Sequence, residues 1–287
     1  MAKSITLETY RNRVMQVVDH LWKHLDRDTD INTLAEVACF SPYHFHRIYR
    51  EMMHETVFQT VKRLRLHRAA CLLVRTGDTV ESIAKSVNYG SAEAFTRAFA
   101  AHYGDSPHRY RQGHRQVFDN ALLLPETAKE YPMKHRVTIE NLPLLHLAGM
   151  PHKGDYLDIG AVFEKLFISA SSLGLVNDTT RSFGIYYDDP FTTPTEDLRS
   201  LACITVDNNT NTRDLQSANI GGGKHAVLSF TGPYAELEAI YEWFYGHWLP
   251  ESGHELADAP PFEEYLNDPK TTPANELITK IYLPLKA

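Results

Sequence analysis

The sequence predicts two domains in tandem: an all-α region built on a double helix-turn-helix, then an α+β region built from two β-α-β-β repeats. Three observations predict this. The first 111 residues carry one pattern of short helix, tight turn and helix twice, about fifty residues apart. The second half carries another pattern twice, at spacings of 78 and 79 residues. The charge divides between the same two regions. Residues 1–118 hold 17 Lys+Arg against 12 Asp+Glu, a balance of +5, and residues 119–287 hold 12 against 24, a balance of -12. The overall charge of -7 hides that division, and a basic half joined to an acidic half suits separate partners. At 287 residues each half has enough chain to bury its own core. The expected boundaries are 1–118, a connector over 119–134, and 135–287.

In the first half the two units align residue by residue. Leu34-Ala35-Glu36 corresponds to Ile83-Ala84-Lys85, and Phe40 to Tyr89 at the turn. Ser41 and Ser91 each stand where a side-chain oxygen caps the following helix. Pro42 falls at a first helical position, where no amide hydrogen is needed. Phe45 and Tyr49 match Phe95 and Phe99, and apolar residues at i and i+4 anchor each second helix in a core. That spacing leaves Arg47 and Arg97 to project outward from matching places. A guanidinium there can pair with two acceptors on guanine or with phosphate. Either arginine alone reads as an ordinary surface residue; two matched helices, each after a short helix and a turn, read as a pair of reading heads. Val57–Arg75 alternates apolar and basic residues as a long helix spacing the two.

Cys39, Cys71 and Cys203 show no CxxC spacing, so a zinc site or disulfide framework is not expected; Cys39 and Cys71 read as small core residues. The fifteen histidines lack a compact ligand pattern. His44 and His46 are two apart on a helix and point different ways, and His102, His108 and His114 are scattered, so they read as polar surface rather than metal ligands. No cofactor is expected. Neither the start Met-Ala-Lys-Ser nor any later stretch approaches the roughly 18 apolar residues of a membrane span, which predicts a cytoplasmic protein with no membrane partner.

In the second half Gly154-Asp155-Tyr156 with Phe163 and Phe167 returns as Gly232-Pro233-Tyr234 with Tyr241 and Tyr245. The stretch from Phe183 to Pro194 returns from Phe262 to Pro273 with seven of twelve positions identical. Each copy reads strand, helix, strand, strand, with first strands over 146–150 and 226–230 and last strands ending near Val206 and Leu285. A groove between related halves is a natural place for a ligand. Positions that match across the copies are expected to be scaffold, such as Phe163/Tyr241 and Phe167/Tyr245. Positions that break the match are candidates for a site: Trp243 opposite Lys165, Trp248 opposite Ala170, and Glu263 opposite Gly184. Glu263 shares a strand face with Tyr265, as Gly184 does with Tyr186.

Residues 7–111, closing on Ser106-Pro107-His108-Arg109-Tyr110-Arg111, resemble the AraC/XylS DNA-binding domain. The resemblance implies a seven-helix, two-lobed domain whose third and sixth helices enter successive major grooves. It implies DNA contacts from Tyr43, His46, Arg47 and Arg50 in the first head, and from Ala92, Glu93, Thr96 and Arg97 in the second. Familiar members carry glutamines where this chain has Ala92 and Glu93, so their base preference does not transfer; Glu93 either accepts from cytosine or repels phosphate. Residues 135–287 resemble the GyrI-like, or SbmC-like, effector-binding domain, on the Gly-x-Tyr before each helix, Phe262-Glu263-x-Tyr265 and the closing Ile281-Tyr282-Leu283-Pro284. That resemblance implies a carboxylate at the bottom of an aromatic groove, which falls on Glu263, with Tyr265, Tyr186, Trp243, Trp248 and Tyr156 as the surrounding ligand-binding residues. Aromatic faces attract a cation, and a partly buried carboxylate gains from pairing with one. Glu264 and Glu276 are the competing carboxylates.

Together these resemblances imply a bacterial, nucleoid-associated transcription regulator with promoter DNA, a small cationic hydrophobic effector and RNA polymerase as partners. It is not expected to be an enzyme. Two alternatives stay open: a small-molecule hydrolase with Glu263 as general base, and a protein-binding module. Against the first, the sequence shows no nucleophile–base pair, and Gly221-Gly222-Gly223 lacks the Lys-Ser/Thr of a phosphate loop.

Overall fold

A computed structural model describes residues 2–113 and 135–287; the expected connector over 119–134 lies outside the described residues. The described chain falls into two compact units that do not follow chain order. Phe40–Ile48 groups with residues 135–287, and Glu8–Cys39 groups with residues 49–113. A boundary drawn at one place in the sequence misses this, because residues 40–48 pack with a partner that lies far along the chain.

The N-terminal region forms seven helices: α1 (Ala2–Lys23), α2 (Ile31–Val37), α3 (Pro42–Met53), α4 (Val57–Arg75), α5 (Val80–Ser86), α6 (Ala92–Tyr103) and α7 (Pro107–Gly113). Polar residues stop and start them. Asp30 accepts the amide hydrogens of Asn32 and Thr33 to cap α2. Thr56 and Gln59 exchange side-chain and backbone bonds as a capping box on α4. Thr79 and Ser91 cap α5 and α6 as their spacing before an apolar run requires. Gly104, at φ 76°, ends α6. Leu66, Ala69 and Leu73 of α4, Ile83 and Ala84 of α5, Phe95 and Phe99 of α6 and Tyr110 of α7 close one core.

The two turns repeat each other in backbone as well as in sequence. Cys39 lies at φ 52° and Asn88 at φ 58°, the left-handed conformation between α2 and α3 and between α5 and α6. Cys39 is exposed, not a core residue, and Cys71 is half-buried; only Cys203 is buried. The apolar neighbours of Cys39 suggested burial, but the turn conformation points its side chain outward.

The C-terminal region holds β1 (Val137–Leu142), β2 (Leu145–Lys153), α8 (Ile159–Ser172), β3 (Ser182–Tyr186), β4 (Arg199–Val206), β5 (Gln216–Ile220), β6 (Gly223–Thr231), α9 (Leu237–Trp243), a π-helical turn over Phe244–Trp248, α10 (Leu249–Ser252), β7 (Phe262–Tyr265) and β8 (Ile278–Pro284). Each copy carries one more strand than its sequence pattern predicted, an opening strand, so the repeat is β-β-α-β-β. The eight strands form one antiparallel sheet in the order β1-β6-β8-β7-β3-β4-β2-β5. Exchanging the two copies reads that order backwards, so a pseudo-twofold axis runs between β3 and β7. The register places Gly184 opposite Glu263 there. These are the repeat-equivalent positions, so the axis passes through this pair. The opening strands are exchanged: β1 pairs with β6 of the second copy and β5 with β2 of the first.

One face of the sheet packs Ala148, Tyr186, Ala202 and Ile204 against Ile159, Leu166 and Ala170 of α8. The other face gathers Leu147, Phe183, Ile185, Leu201, Cys203, Val227, Phe262 and Tyr282 into a second apolar cluster. No helix of the described residues is long and apolar enough to cross a membrane.

Left-handed backbone costs a β-carbon about 1–2 kcal/mol, and asparagine tolerates it better than most residues. Cys39→Asn, which copies Asn88 into the first turn, is expected to raise the stability of the chain by up to about 1 kcal/mol. Thermal and urea unfolding of the full chain check this; an unchanged or lowered midpoint counts against strain at Cys39.

Candidate functional site

Glu263 sits on the pseudo-twofold axis, on the helix-bearing face, with 4% of its surface exposed. Gly184 makes room for it. A β-carbon at Gly184 would stand 2.8 Å from the Tyr265 hydroxyl and 2.9 Å from that of Tyr186. Both carboxylate oxygens are satisfied by tyrosines: Tyr241 donates to Oε1 at 3.0 Å and Tyr265 to Oε2 at 2.9 Å. The hydroxyls of Tyr186 and Tyr265, equivalent residues of the two copies, bond each other at 2.5 Å. Burial pushes the Glu263 carboxyl up to about 7, against the opposing pull of the Tyr265 and Tyr241 hydroxyls and of Arg47. The same burial, then the Glu263 charge, holds Tyr186, Tyr241 and Tyr265 well above the usual phenol range.

Aromatic rings surround this carboxylate. Tyr156 meets Tyr186 edge-on at 4.8 Å between centroids, and Phe163 and Tyr234 meet Tyr265 at 5.5 and 5.4 Å. The Tyr156 hydroxyl is held by the Asp188 backbone. Tyr241 and Tyr245 stack at 6.4 Å with 20° between their planes. Of the predicted ligand-binding residues, the structure therefore brings together Glu263, Tyr265, Tyr186 and Tyr156.

Trp243 and Trp248 lie elsewhere. Trp243 is buried against His135, Phe244 and His247, and Trp248 packs on Phe244 and His254. Among the described residues neither makes a hydrogen bond or ring contact with Glu263 or its tyrosines. Two positions along a helix turn the side chain by roughly 200°, so Tyr241 at the carboxylate puts Trp243 on the far side. The π-helical turn from Phe244 adds a residue to the next turn and moves Trp248 out of phase with Tyr241. Tyr245 is buried, as expected of a core residue, but the sequence did not place Tyr241 and Tyr245 beside Glu263, where Tyr241 donates its hydroxyl and Tyr245 stacks on Tyr241. Their i, i+4 spacing was the available signal; matching across the repeat concealed it. The competing carboxylates are accounted for separately. Glu264 is on the opposite face, bound by Arg181 at 2.7 Å and by the Tyr282 hydroxyl at 2.6 Å, and Glu276 is exposed.

The two candidate reading helices differ. On α6, Glu93 and Arg97 are exposed and Ala92 and Thr96 half-buried, with Phe95 and Phe99 anchored below. The Glu93 carboxyl is held low by its own backbone amide and Ser91, with Arg97 adding to the effect. On α3 the expectation that Arg47 projects outward is corrected: it is 6% exposed. Its guanidinium carbon lies 5.1 Å from the centroid of Tyr241 and 5.5 Å from that of Tyr245. Its nitrogens donate to the Tyr245 hydroxyl at 3.3 Å and to the Asp188 carbonyl at 3.1 Å. Helical periodicity identified its face correctly but not what covers that face. His44, read as polar surface, is fully buried; its Nδ1 is 2.7 Å from the Tyr245 hydroxyl. Burial, then Arg47, lowers its pKa to about 3. Tyr43 and His46 are half-buried, and Arg50, also half-buried, pairs with Glu51 at 3.1 Å. Ser41 donates its hydroxyl to Asp258 at 2.8 Å.

The raised Glu263 pKa has a definite sign in stability. The proton-bearing carboxyl costs nothing extra below the unfolded value near 4.5, and the penalty grows as pH rises through about 7. Glu263→Gln does not titrate. Its stability relative to the parent is expected to improve by up to about 3 kcal/mol between pH 4.5 and pH 8. Urea unfolding of both proteins at the two pH values measures this; a pH-independent difference removes the buried charge as its cause.

Residues 135–286 match the family described as a GyrI-like small molecule binding domain, and residues 34–113 match a helix-turn-helix domain. YgiV of Escherichia coli strain K12, a transcriptional regulator by name, is 30% identical over 156 residues, covering 52% of this chain and 95% of its own. YkgA of the same strain, named an HTH-type transcriptional regulator, is 27% identical over 149 residues, 52% of this chain and 62% of its own length. The transcriptional regulator Rob of Salmonella typhimurium is 27% identical over 123 residues, 42% of this chain and 43% of its own. The chain thus belongs to the family of the GyrI-like small molecule binding domain and carries an AraC-type helix-turn-helix domain ahead of it, the domain content of a DNA-binding transcriptional regulator.

Proposed function

We propose that the chain is a one-component transcription regulator in which a small cationic, hydrophobic effector binds the aromatic cluster around Glu263 and alters how α3 and α6 engage promoter DNA. One observation carries the effector half of this reading: a carboxylate buried to 4% exposure on the axis of the repeat, with tyrosine rings and hydroxyls from both copies around it. A cation entering there would meet ring faces and a charge that burial has made costly, and its gain is largest where water is excluded. The -12 balance of residues 119–287 favours cations at longer range. The DNA half rests on the basic N-terminal region and on the exposed Arg97 and Glu93 at the front of α6. RNA polymerase is a further partner of this reading, as for a regulator acting at promoters. For the hydrolase alternative, both Glu263 oxygens already accept tyrosine hydrogens, which suits a binding carboxylate better than a base facing water.

Coupling requires the effector to favour one state of the chain over another. A thermal-shift screen of lipophilic cations on the full chain, followed by titration against Glu263→Gln, tests the effector half. Equal affinity for parent and variant removes Glu263 from the site. For the DNA half, Arg97→Ala is expected to weaken specific binding by roughly 1–3 kcal/mol if Arg97 reads a base. A phosphate contact would instead weaken all duplexes alike and lower the salt slope by about one. Gel shifts on a duplex selected by the full chain, over a range of salt, separate these outcomes. Parent-like binding by the variant at every salt concentration would remove α6 from the interface.

A further inference from the structure

We infer that Arg47 is a built-in cation of the Glu263 site, so that effectors carrying a guanidinium or amidinium head group compete with the first reading helix for the same aromatic cluster. This rests on the effector reading above and adds its ligand class and its regulation. The geometry is that of a bound ligand. The Arg47 guanidinium lies over Tyr241 and Tyr245, donates to the Tyr245 hydroxyl and the Asp188 carbonyl, and is near enough to Glu263 to draw its pKa down. Tyr241 joins the two charges directly, because its ring is under the guanidinium and its hydroxyl is on the carboxylate. Two further contacts fix the front of α3 in this place: His44 on the Tyr245 hydroxyl, and Ser41 on Asp258.

The consequence is steric and electrostatic at once. A guanidinium 6% exposed among tyrosines cannot also reach a guanine edge or a phosphate. Arg97, its partner in the repeat, remains exposed on α6. The chain in this state therefore has one reading head available and one withheld. A planar cation that takes the ring faces and the Glu263 charge displaces Arg47 from Tyr241 and Tyr245 and leaves it the Asp188 carbonyl and the charge of Asp189. The Tyr245 hydroxyl is central to the switch because it holds both Arg47 and His44, and no base contact is asked of it.

The test uses the full chain and phenylguanidine, which puts the arginine head group on an aromatic ring. Its affinity is read by calorimetry. Release of α3 is read by diethyl pyrocarbonate labelling of His44, followed by mass spectrometry, with exposed His102 as the internal reference. Without the probe His44 is expected to label at least tenfold more slowly than His102, and at saturation the rates should converge. Arg47→Ala is expected to bind phenylguanidine at least tenfold more tightly than the parent, about 1.4 kcal/mol, because no internal cation has to leave. Tyr245→Phe, which keeps Arg47, is expected to label faster at His44 without the probe and to bind a selected duplex more tightly. These results support the competition, and the Tyr245 variant carries the test if Arg47→Ala does not fold. Probe bound with His44 still protected, or equal probe affinity for the parent and Arg47→Ala, overturns the competition and leaves the effector site standing. No binding of phenylguanidine by either protein, or binding that Glu263→Gln leaves unchanged, overturns the ligand class and its seat at Glu263 together.

Discussion

Two copies of one motif meeting across an axis cannot both place a large side chain on it. The Gly184–Glu263 pair is the solution this chain has reached: one copy contributes the carboxylate, the other a glycine that leaves the space. A buried carboxylate is an acceptor with no donor of its own, and burial without hydrogen bonds carries a large penalty. Its partners are recruited from both copies, with Tyr241 and Tyr265 donating directly and Tyr186 reaching it through the Tyr265 hydroxyl. The arrangement of rings on this face follows from that need. The carboxylate is satisfied but remains costly to ionise, which makes a cation beside it favourable whether the cation arrives from solution or from the chain itself.

Much of this was readable in the residues, and the failures have physical causes. The pairing of Leu34-Ala35 with Ile83-Ala84 and of Phe45 with Phe95 specified two equivalent turns, and both adopt the left-handed conformation at the same place, Cys39 in one and Asn88 in the other. The break at Glu263 against Gly184 located the axis, because asymmetry at a symmetric position has to be tolerated by something specific. The same rule pointed to Trp243 rather than Tyr241, and the structure places Tyr241 on the carboxylate and Trp243 against His135, Phe244 and His247. A residue conserved between copies can still face the axis, since the axis is where both copies contribute. The opening strands were not seen because β1 and β5 share only one identical residue at the 78-residue spacing, so comparing the two copies did not reveal them.

Arg47 shows a different limit. Helical spacing states which residues share a face, and α3 obeys it: Phe45 and Tyr49 are buried, as expected. Spacing carries no information about a partner nearly two hundred residues later in the chain, as the bond from Arg47 to Tyr245 is. Charge gave no warning either, because an arginine buried among phenol rings and a carbonyl has the same one-letter code as one in water. Only three-dimensional placement distinguishes the matched pair Arg47 and Arg97.

The exchange of opening strands sets the order in which this domain can be made. Val137 of β1 finds its partner in Leu228 of β6, so the first strand to leave the ribosome waits for most of the domain before any of its ladder bonds can form. Until then it is an unpaired edge, and long-range antiparallel pairing is slow to close. The helices of the first half have no such wait, apart from the front of α3, where residues 40–48 pack with the C-terminal strands and helices. Neither copy is a self-sufficient folding unit, since each is missing a strand that the other supplies. A chain stopped between the copies would offer β1 and β2 as open templates, and a second such chain is the nearest thing able to fill them. The duplication thus binds the two halves into one obligatory product of synthesis, completed only when β6 and β8 have emerged.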